Sequence, residues 1–497
     1  MESINGLLNG FSIALTLTNI TYCFIGCLLG TLVGVLPGIG PAAAIALLFP
    51  TAMHLNPVGA IIMLAGIYYG AQYGGSTTSI LLNIPGEATS VVTCLDGYQM
   101  ARMGRAGPAL GISAFGSFIG GTLAIIGLVF LAPLLARAAL KFGPPEFFSL
   151  TVMCMTMVTY LSRGSFIKAL MMVPLGLILA TVGMDPHSGT FRFTYGTLTL
   201  RDGLGIVPIV MGLFGISEVI INVGTPIHPT FLKTKIKDLF PSLQDWKDSK
   251  FPILRGTLLG FLVGILPGMG LTSTFLSYGL EKKFSKYPEK FGTGIIEGVA
   301  APETCNNASS QAGFIPMLSL GIPTNVIMAM LLGALMVYGI PPGPLLIKEH
   351  PNLFWGLISS MYIGNCMLLV LNLPLIPVWV QILRIPYSYL FPSILIFCII
   401  GSYSLNNNIG DVIVMAIFGV VGYLMKRYDF EAAPLVLAFI LGPLLEDNLR
   451  QALLISKGSF MIFLNRPISA SFMIICIIIL ASLLLRLRPQ VKVDEVF

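Results

Sequence analysis

The sequence predicts an all-α polytopic membrane protein of two inverted repeats, with about 10 to 14 membrane segments, some of them broken helices or re-entrant hairpins. Three observations predict this class. The chain is 55% hydrophobic and only 10% charged. It carries no Asp, Glu, Lys or Arg from Ser3 to Gly86, and soluble cores do not extend so far without charge. One glycine-rich apolar passage also occurs twice.

Several apolar stretches reach the length of about 20 residues that a membrane-spanning helix needs. They cover residues 107–136, 204–223, 354–373 and 468–485. Cytoplasmic loops of membrane proteins retain Lys and Arg. We therefore attribute the net charge of +6 to such loops and not to a nucleic-acid partner.

The internal repeat defines the domain organisation. Residues 26–40 and 256–270 match at 11 of 15 positions. Farther along, residues 75–85 correspond to 313–323 at an offset of 238, and 118–120 correspond to 362–364. The sequence therefore predicts a transmembrane repeat 1 and a basic cytoplasmic linker, then a repeat 2, and a last transmembrane helix with a polar tail. Their bounds are 1–223, 224–252, 253–465 and 466–497.

Charge around the repeats indicates their orientation. Residues 233–250 carry five lysines and three aspartates, so the positive-inside rule places them in the cytoplasm. The entry to repeat 1 has no basic side chain, whereas repeat 2 has its strongest basic segment there. This asymmetry favours opposite orientations of the two repeats, a plan that recurs in secondary transporters.

Four-residue ladders of glycine begin both copies of the repeated passage. Such ladders let two helices approach closely in lipid, and we assign the first three glycines of each copy to packing. Each ladder ends in a Pro-Gly pair, Pro37-Gly38 or Pro267-Gly268, followed by Gly40 or Gly270. Proline ends a helix and glycine admits a positive φ, so these pairs are either structural kinks or tips between two half-helices that bind an ion.

The second tip is predicted to be a hairpin. Residues 281–290 add four lysines after it, so both of its flanks are expected in the cytoplasm. Residues 256–267 would form a helix of roughly 18 Å, too short to cross an apolar core of about 30 Å.

Two polar segments lie at corresponding positions of the repeats, and each precedes a helix break. The first, residues 68–90, contains Gly75, Ser76, Thr77, Thr78 and Asn83 before the break at Pro85-Gly86. The second, residues 303–325, has polar residues before expected breaks at Pro316 and Pro323; they include Asn306, Asn307 and Ser309. Such segments are either polar contacts between helices or the lining of a transporter site.

Acidic residues near the breaks are candidates for binding a coupling proton or sodium ion, because intramembrane ionisable groups are generally functional. The candidates are Glu87, Asp96, Glu297 and Glu303, and of these we select Glu87 and Glu303. The alternatives are a first-turn position for Glu303, following Pro302, and a loop turn for Asp96.

No catalytic or metal-binding pattern is evident. The eight cysteines form no CxxC pair, and the four histidines are far apart, so neither a metal cluster nor a nucleophile–base pair can be assembled. We expect no enzyme activity and no cofactor apart from a coupling ion.

The long motifs resemble the large membrane subunit of tripartite tricarboxylate transporters, the TctA type. They read GTLVGVLPGIGPAAAIALLFP, GIYYGAQYGGSTTSILLNIPGEATSVVTCLDGYQMARMGRAGPAL and EGVAAPETCNNASSQAGFIPMLSLGIPTN. The resemblance implies a multi-pass carrier of the bacterial inner membrane, driven by sodium ions or protons, for citrate-like tricarboxylates or related dicarboxylates. It also implies a small membrane subunit and a periplasmic solute-binding protein as partners.

Two positions depart from the usual motif of that family, Cys305 and Thr324. Threonine after Pro323, in place of glycine, restricts the backbone and adds a hydroxyl, which suits a different acid. With this resemblance, we expect substrate binding at both tips and both polar segments, namely at Pro37, Gly38, Gly40, Gly75, Ser76, Thr77, Thr78, Asn83, Pro267, Gly268, Gly270, Asn306, Asn307, Ser309, Pro323 and Thr324. A channel or structural subunit, and less plausibly a membrane-embedded enzyme, are the alternatives.

Overall fold

The computed structural model describes residues 2–36, 40–162, 165–222, 239–382 and 387–486. These residues are almost entirely helical, as the composition predicts. In chain order the helices are α1 (Glu2–Ala14), α2 (Leu17–Val35), α3 (Gly40–Met53), α4 (Pro57–Leu82), α5 (Val91–Arg102), α6 (Ala106–Ala139), α7 (Pro144–Tyr160), α8 (Phe166–Ala180), α9 (Ile206–Val210), α10 (Ser217–Asn222), α11 (Leu243–Gly264), α12 (Gly270–Phe284), α13 (Glu297–Ala312), α14 (Phe314–Leu320), α15 (Val326–Val337), α16 (Leu346–Glu349), α17 (Pro351–Asn372), α18 (Ile376–Ile382), α19 (Tyr387–Asn406), α20 (Ile409–Arg427), α21 (Ala432–Ile455), α22 (Ile462–Asn465) and α23 (Pro467–Arg486).

Five of the described helices are long and apolar enough to cross a membrane: α2, α6, α17, α20 and α21. Shorter apolar helices of 10–17 residues add to them, among them α3, α8 and α15. The apolar stretches predicted at 107–136 and 354–373 coincide with α6 and α17. The stretch at 204–223 contains one continuous apolar helix, Ile206–Ile221, whose middle part, Met211–Ile216, is π-helical.

The helices group into two compact units. The first comprises Met1–Leu140 and Val182–Tyr428, and the second comprises Lys141–Thr181 and Asp429–Phe497. In the second unit, α21 packs on α7 and α8, and the buried Glu146 of α7 forms an ion pair with Arg466 at 2.6 Å. The first unit also contains two short paired strands, β1 (Gly183–Met184) and β2 (Phe191–Arg192).

The glycine ladders pack two helix pairs in the same way within the first unit. A Cβ atom on Gly30 of α2 would lie 2.4 Å from the carbonyl oxygen of Ile67 on α4. A Cβ atom on Gly260 of α11 would lie 2.4 Å from the carbonyl oxygen of Cys305 on α13. Any side chain there would separate the backbones. The prediction that the ladder glycines serve close packing is confirmed.

Replacing a ladder glycine by alanine is expected to destabilise the protein. In Gly260→Ala the methyl group meets a backbone carbonyl, and overpacking of this kind costs about 1–3 kcal/mol. Gly279→Ala on α12 is the matched control, because nothing lies within 4 Å of its added Cβ. Thermal unfolding in detergent compares the two variants. Equal midpoints would show that the α11–α13 contact tolerates a wider separation.

The repeats exchange one helix each. Helix α6 of repeat 1 packs on α11 and α13 of repeat 2, whereas α17 of repeat 2 packs on α2 and α4 of repeat 1. The sequence match between 118–120 and 362–364 makes α6 and α17 equivalent. The two repeats are therefore interlocked, and α4 and α13, which carry the polar segments, lie buried inside the unit.

The second Pro-Gly tip lies between two contacting helices, as predicted. Helix α11 ends at Gly264, and α12 begins at Gly270 and packs back on α11. The short helix expected from residue 256 was wrong, because α11 already begins at Leu243 and has 22 residues. A capping box between Ser242 and Asp245 starts it in the hydrophilic segment, ahead of the apolar run.

The breaks after the polar segments are largely where the sequence places them. Helix α4 ends at Leu82, with Asn83 in the left-handed conformation before Pro85. Helix α14 ends before Pro323. Helix α13 ends at Ala312 and α14 begins at Phe314, so the other expected break lies just before Pro316, which is in the first turn of α14. A first-turn proline loses no helical hydrogen bond, because the amides there have no intrahelical acceptor.

Candidate functional site

The C-terminal part of α4 and the whole of α13 bring polar side chains into the interior of the first unit. Residues Gly59 to Leu81 of α4 and Gly298 to Ala312 of α13 are all buried. Buried polar side chains cost free energy unless they find partners. The partners that these helices provide for each other define the candidate site.

Glu303 lies near the middle of α13 and is 1% exposed. Its carboxylate accepts hydrogen bonds from the hydroxyls of Ser76 on α4 and Thr93 on α5. The alternative that placed Glu303 in a first helical turn was wrong, since α13 begins at Glu297. A repeat 2 carboxylate is therefore held by two repeat 1 hydroxyls.

Glu87 lies at the break after α4 and is 6% exposed. It caps the 3-10 turn Ala88–Ser90 by accepting from the Thr89 amide at 2.9 Å, and it also accepts from the Thr89 hydroxyl. From repeat 2, Asn306 Nδ2 donates to Glu87 Oε1 at 3.2 Å. Gly75 leaves room for this carboxylate, because a Cβ there would lie 2.7 Å from Glu87 Cγ.

The Thr89 hydroxyl joins the two repeats at the centre of this network. It lies 3.0 Å from Gln72 Oε1 and 2.7 Å from Asn306 Oδ1, in addition to Glu87. A hydroxyl has a single proton to donate, so acceptor oxygens outnumber donors here.

The tip of repeat 2 lies against the break after α14. The Gly268 amide donates to the Thr324 carbonyl at 2.8 Å, and Gly268 adopts a φ of 82°, which favours glycine. Asn325 caps α15 by accepting from the Met328 amide at 2.9 Å. Its Nδ2 then donates to the Tyr68 hydroxyl of α4 at 3.1 Å. The tip and the polar helices are therefore in contact.

Asp96 has a different place from the loop turn that we considered. It lies within α5 and is 0% exposed. Its carboxylate accepts from the amides of Gly292, Gly294 and Ile295 at 2.7–3.1 Å, and from the Tyr278 hydroxyl at 2.8 Å. Asp96 thus holds the connection between α12 and α13 onto repeat 1.

Several of the expected binding residues make contacts within the protein. Asn307 Nδ2 donates to Ser117 of α6 at 2.7 Å. Thr78 donates to a carbonyl of its own helix, and Asn83 is exposed. The Ser309 carbonyl oxygen lies beside Gly264 in the ladder contact.

The remaining expected residues are distributed as follows. Thr77 lies buried on α4. Gly40 begins α3, Gly270 begins α12, Pro267 precedes the second tip glycine, and Pro323 lies between α14 and α15. Pro37 and Gly38 lie outside the described residues.

Five residues belong to this network although they were not among the expected site residues: Tyr68, Gln72, Thr89, Thr93 and Asn325. One signal was available for Thr89 and Thr93: their i, i+4 spacing next to Glu87 aligns them on one helical face. For Asn325 the signal was its position directly after the second helix break. In the part of the chain that is described, no three His, Cys, Asp or Glu side chains meet as a metal site.

Comparisons with known proteins identify the family. The model of the tripartite tricarboxylate transporter TctA family matches residues 20–437. An uncharacterised 52.8 kDa protein of the TAR-I ttuC' 3' region of Agrobacterium vitis is 50% identical over 500 residues, covering 100% of this chain and 99% of the relative. A second Agrobacterium vitis protein, from the TAR-II ttuC' 3' region, is 50% identical over 242 residues, covering 48% of this chain and 98% of that relative.

No solved structure matches the chain significantly. The family match covers both glycine ladders and both polar segments, and the first relative is similar over the whole chain. This chain is a member of the tripartite tricarboxylate transporter TctA family, a membrane transport protein with several apolar helices.

Proposed function

We propose that the protein is the large membrane subunit of an ion-gradient-driven carrier that imports small carboxylates. The substrates are citrate-like tricarboxylates or related dicarboxylates. A small membrane subunit completes the membrane complex in the bacterial inner membrane, and a periplasmic binding protein delivers the acid. The buried polar network that links Glu87 and Glu303 across the two repeats is the observation that carries this proposal.

The repeats have inverted orientations in this proposal. Support comes from the asymmetric basic segments in the sequence and from the exchange of α6 and α17 between the repeats. In inverted-repeat transporters the substrate binds near the midplane, where the two copies meet. The contacts from Ser76 to Glu303 and from Asn306 to Glu87 join the repeats in this way.

Glu87 and Glu303 bind the coupling ion, a sodium ion or a proton. The donors that contact these two carboxylates are hydroxyls, an amide and a carboxamide, all neutral groups. Desolvated carboxylates without a cationic partner are stabilised by a proton or a bound cation. The positive charge of a bound coupling ion would also partly compensate the negative charge of a carboxylate substrate that binds nearby.

The proposed function is tested in proteoliposomes that contain this protein with its small membrane subunit and binding protein. Labelled citrate, succinate and malate are supplied with a sodium gradient, a proton gradient or neither. We expect uptake of at least one acid to depend on one gradient. Gradient-independent flux would support a channel, and absence of uptake with every acid and gradient would overturn the carrier proposal.

Thr324 is expected to influence which acid is preferred. It lies at the break beside the Gly268 tip, and its hydroxyl oxygen is buried without a hydrogen-bond partner. A hydroxyl that contacts a substrate discriminates between acids that do and do not pair with it. Thr324→Gly should therefore change the ratio of citrate to succinate affinity by roughly 10-fold. Unchanged ratios in equilibrium binding would contradict this expectation.

A further inference from the structure

Two contacts between the repeats are equivalent in sequence. Asn306 contacts Glu87, and Asn325 contacts Tyr68. The numbers of Asn306 and Tyr68 differ by 238, and so do those of Asn325 and Glu87. This is the offset at which 75–85 match 313–323. The two contacts therefore pair the same two positions of the repeat. In the first contact Glu87 comes from repeat 1 and Asn306 from repeat 2, and in the second their equivalents, Asn325 and Tyr68, come from repeat 2 and repeat 1.

The equivalent contacts differ in chemistry. At the first, the side-chain oxygens of Glu87, Gln72 and Asn306 all lie within hydrogen-bond distance of the Thr89 hydroxyl, which has one proton to donate, so acceptors predominate. At the second, Tyr68 and Asn325 are both neutral, and their mutual hydrogen bond at 3.1 Å uses one proton of Asn325 Nδ2. The second Nδ2 proton remains, and the Tyr68 hydroxyl, which also contacts the Gln72 side chain, has its own proton to donate, so this contact offers donors.

The orientation of Asn325 is fixed by its surroundings. Its Oδ1 accepts from the Met328 amide at 2.9 Å, which turns Nδ2 toward Tyr68 and away from α15. The Tyr68 ring is held by Phe314, with 6.5 Å between ring centroids. Both donors therefore have defined positions before any ligand binds.

The tip of repeat 2 adds further donors beside this pair. Helix α12 has 15 residues, and its first amides have no intrahelical acceptor. A Cβ on Gly270, its first residue, would lie 4.0 Å from Asn325 Nδ2. An independent feature is the Thr324 hydroxyl, whose residue is 3% exposed and whose oxygen has no hydrogen-bond partner.

We propose that Tyr68 and Asn325 hold a carboxylate group of the substrate at the repeat 2 tip, and that the equivalent contact at Glu87 and Asn306 faces the coupling cation. Equivalent positions of the two repeats thus form an anion-binding pair, Tyr68 and Asn325, and a cation-binding pair, Glu87 and Asn306. This inference rests on the proposed carrier function. It assigns Asn306 to the ion and adds two residues that bind the acid.

Neutral donors suit a substrate that must leave again. If a buried Arg or Lys bound the substrate carboxylate, release of the substrate would leave the charge of that Arg or Lys buried without a partner. Hydrogen bonds from neutral groups to a carboxylate are each weaker, and several of them together recognise its geometry. The Tyr68–Asn325 pair therefore recognises the acid through the directions of its hydrogen bonds and not through a net positive charge.

Equilibrium binding of labelled citrate, succinate and malate to the purified full chain tests the proposal. Tyr68→Phe should weaken binding of the acid that wild type binds by about 10-fold, the effect of one hydrogen bond to a charged group. Asn325→Asp preserves the helix cap but places a negative charge at the carboxylate. It should weaken binding by at least about 100-fold.

Matched controls make the same chemical changes elsewhere. Tyr338→Phe removes a hydroxyl that donates to Ala52 and Leu55 carbonyls, and Asn408→Asp replaces the cap residue of α20. Both controls should bind like wild type. Thermal unfolding checks that each variant folds. If Asn325→Asp does not fold, the binding result for Tyr68→Phe alone tests the proposal.

The outcomes separate the two proposals. If wild type binds none of the acids, the carrier function itself is contradicted. If wild type binds one and Tyr68→Phe and Asn325→Asp bind it like their controls, the carrier function stands and the assignment of Tyr68 and Asn325 is overturned.

Discussion

Glu303→Gln is expected to abolish the stimulation of carboxylate uptake by an ion gradient. Glutamine keeps the size of the side chain and can still hydrogen-bond Ser76 and Thr93, but it cannot bind a proton or compensate a cation. Coupling between two sites is typically worth about 5- to 150-fold in affinity, so we expect a loss of about that size. Initial uptake rates with and without the gradient measure it.

Glu297→Gln is the matched control for this variant. It makes the same change on the same helix, at the first residue of α13 and away from the contacts with Ser76 and Thr93. Its gradient stimulation should equal that of wild type. Full stimulation in Glu303→Gln would remove Glu303 from the coupling mechanism and leave Glu87 as the remaining candidate.

Asp96→Ala is expected to cause the largest loss of stability. The carboxylate satisfies three backbone amides of the α12–α13 connection and the Tyr278 hydroxyl, all from repeat 2. Removing it leaves these donors without their acceptor in the interior. Loss of one partner of a buried charged contact costs about 3–5 kcal/mol. Thermal unfolding in detergent and the yield of monodisperse protein measure the effect.

Asp248→Ala provides the comparison for Asp96→Ala. Asp248 is exposed on α11 and accepts from Gln244 one turn earlier, so its removal should change stability by less than about 0.5 kcal/mol. A similar unfolding midpoint for both variants would contradict the role of Asp96 in holding the connection between α12 and α13.

The features that the sequence predicted correctly follow from local or repetitive causes. Long apolar stretches require helices in a bilayer, where every backbone polar group needs an internal partner. Glycines at four-residue spacing lie on one helical face, so their use in close packing was predictable before the partner helices were known. The break at Pro267-Gly268 follows from the missing proline donor and the positive φ of glycine.

The predictions that failed concern positions where a helix begins. The sequence offered an apolar start for α11 at residue 256, but a capping box in the preceding hydrophilic segment began the helix at Leu243. Glu303, after Pro302, suited a first helical turn, but α13 already begins at Glu297. In both cases the helix begins ahead of the residue that the apolar or proline pattern favoured.

Hydrogen bonds between distant segments could not be derived from one sequence. Asp96 and Gly292 are 196 residues apart, and Asn325 and Tyr68 are 257 apart. Nothing in the local pattern of either partner specifies the other. The offset of 238 showed which positions of the two repeats are equivalent. The observed contacts were needed to show that these equivalent positions meet across the repeats.

By itself the sequence determined the helical membrane class, the two glycine ladders and the polar segments at the breaks, because these depend on composition and on spacing along one helix. The tertiary structure decided which polar groups meet. It joined Glu303 to Ser76 and Thr93, Glu87 to Asn306, and Tyr68 to Asn325. The reason is that buried donors and acceptors are satisfied across helices, where partners are set by packing and not by chain order.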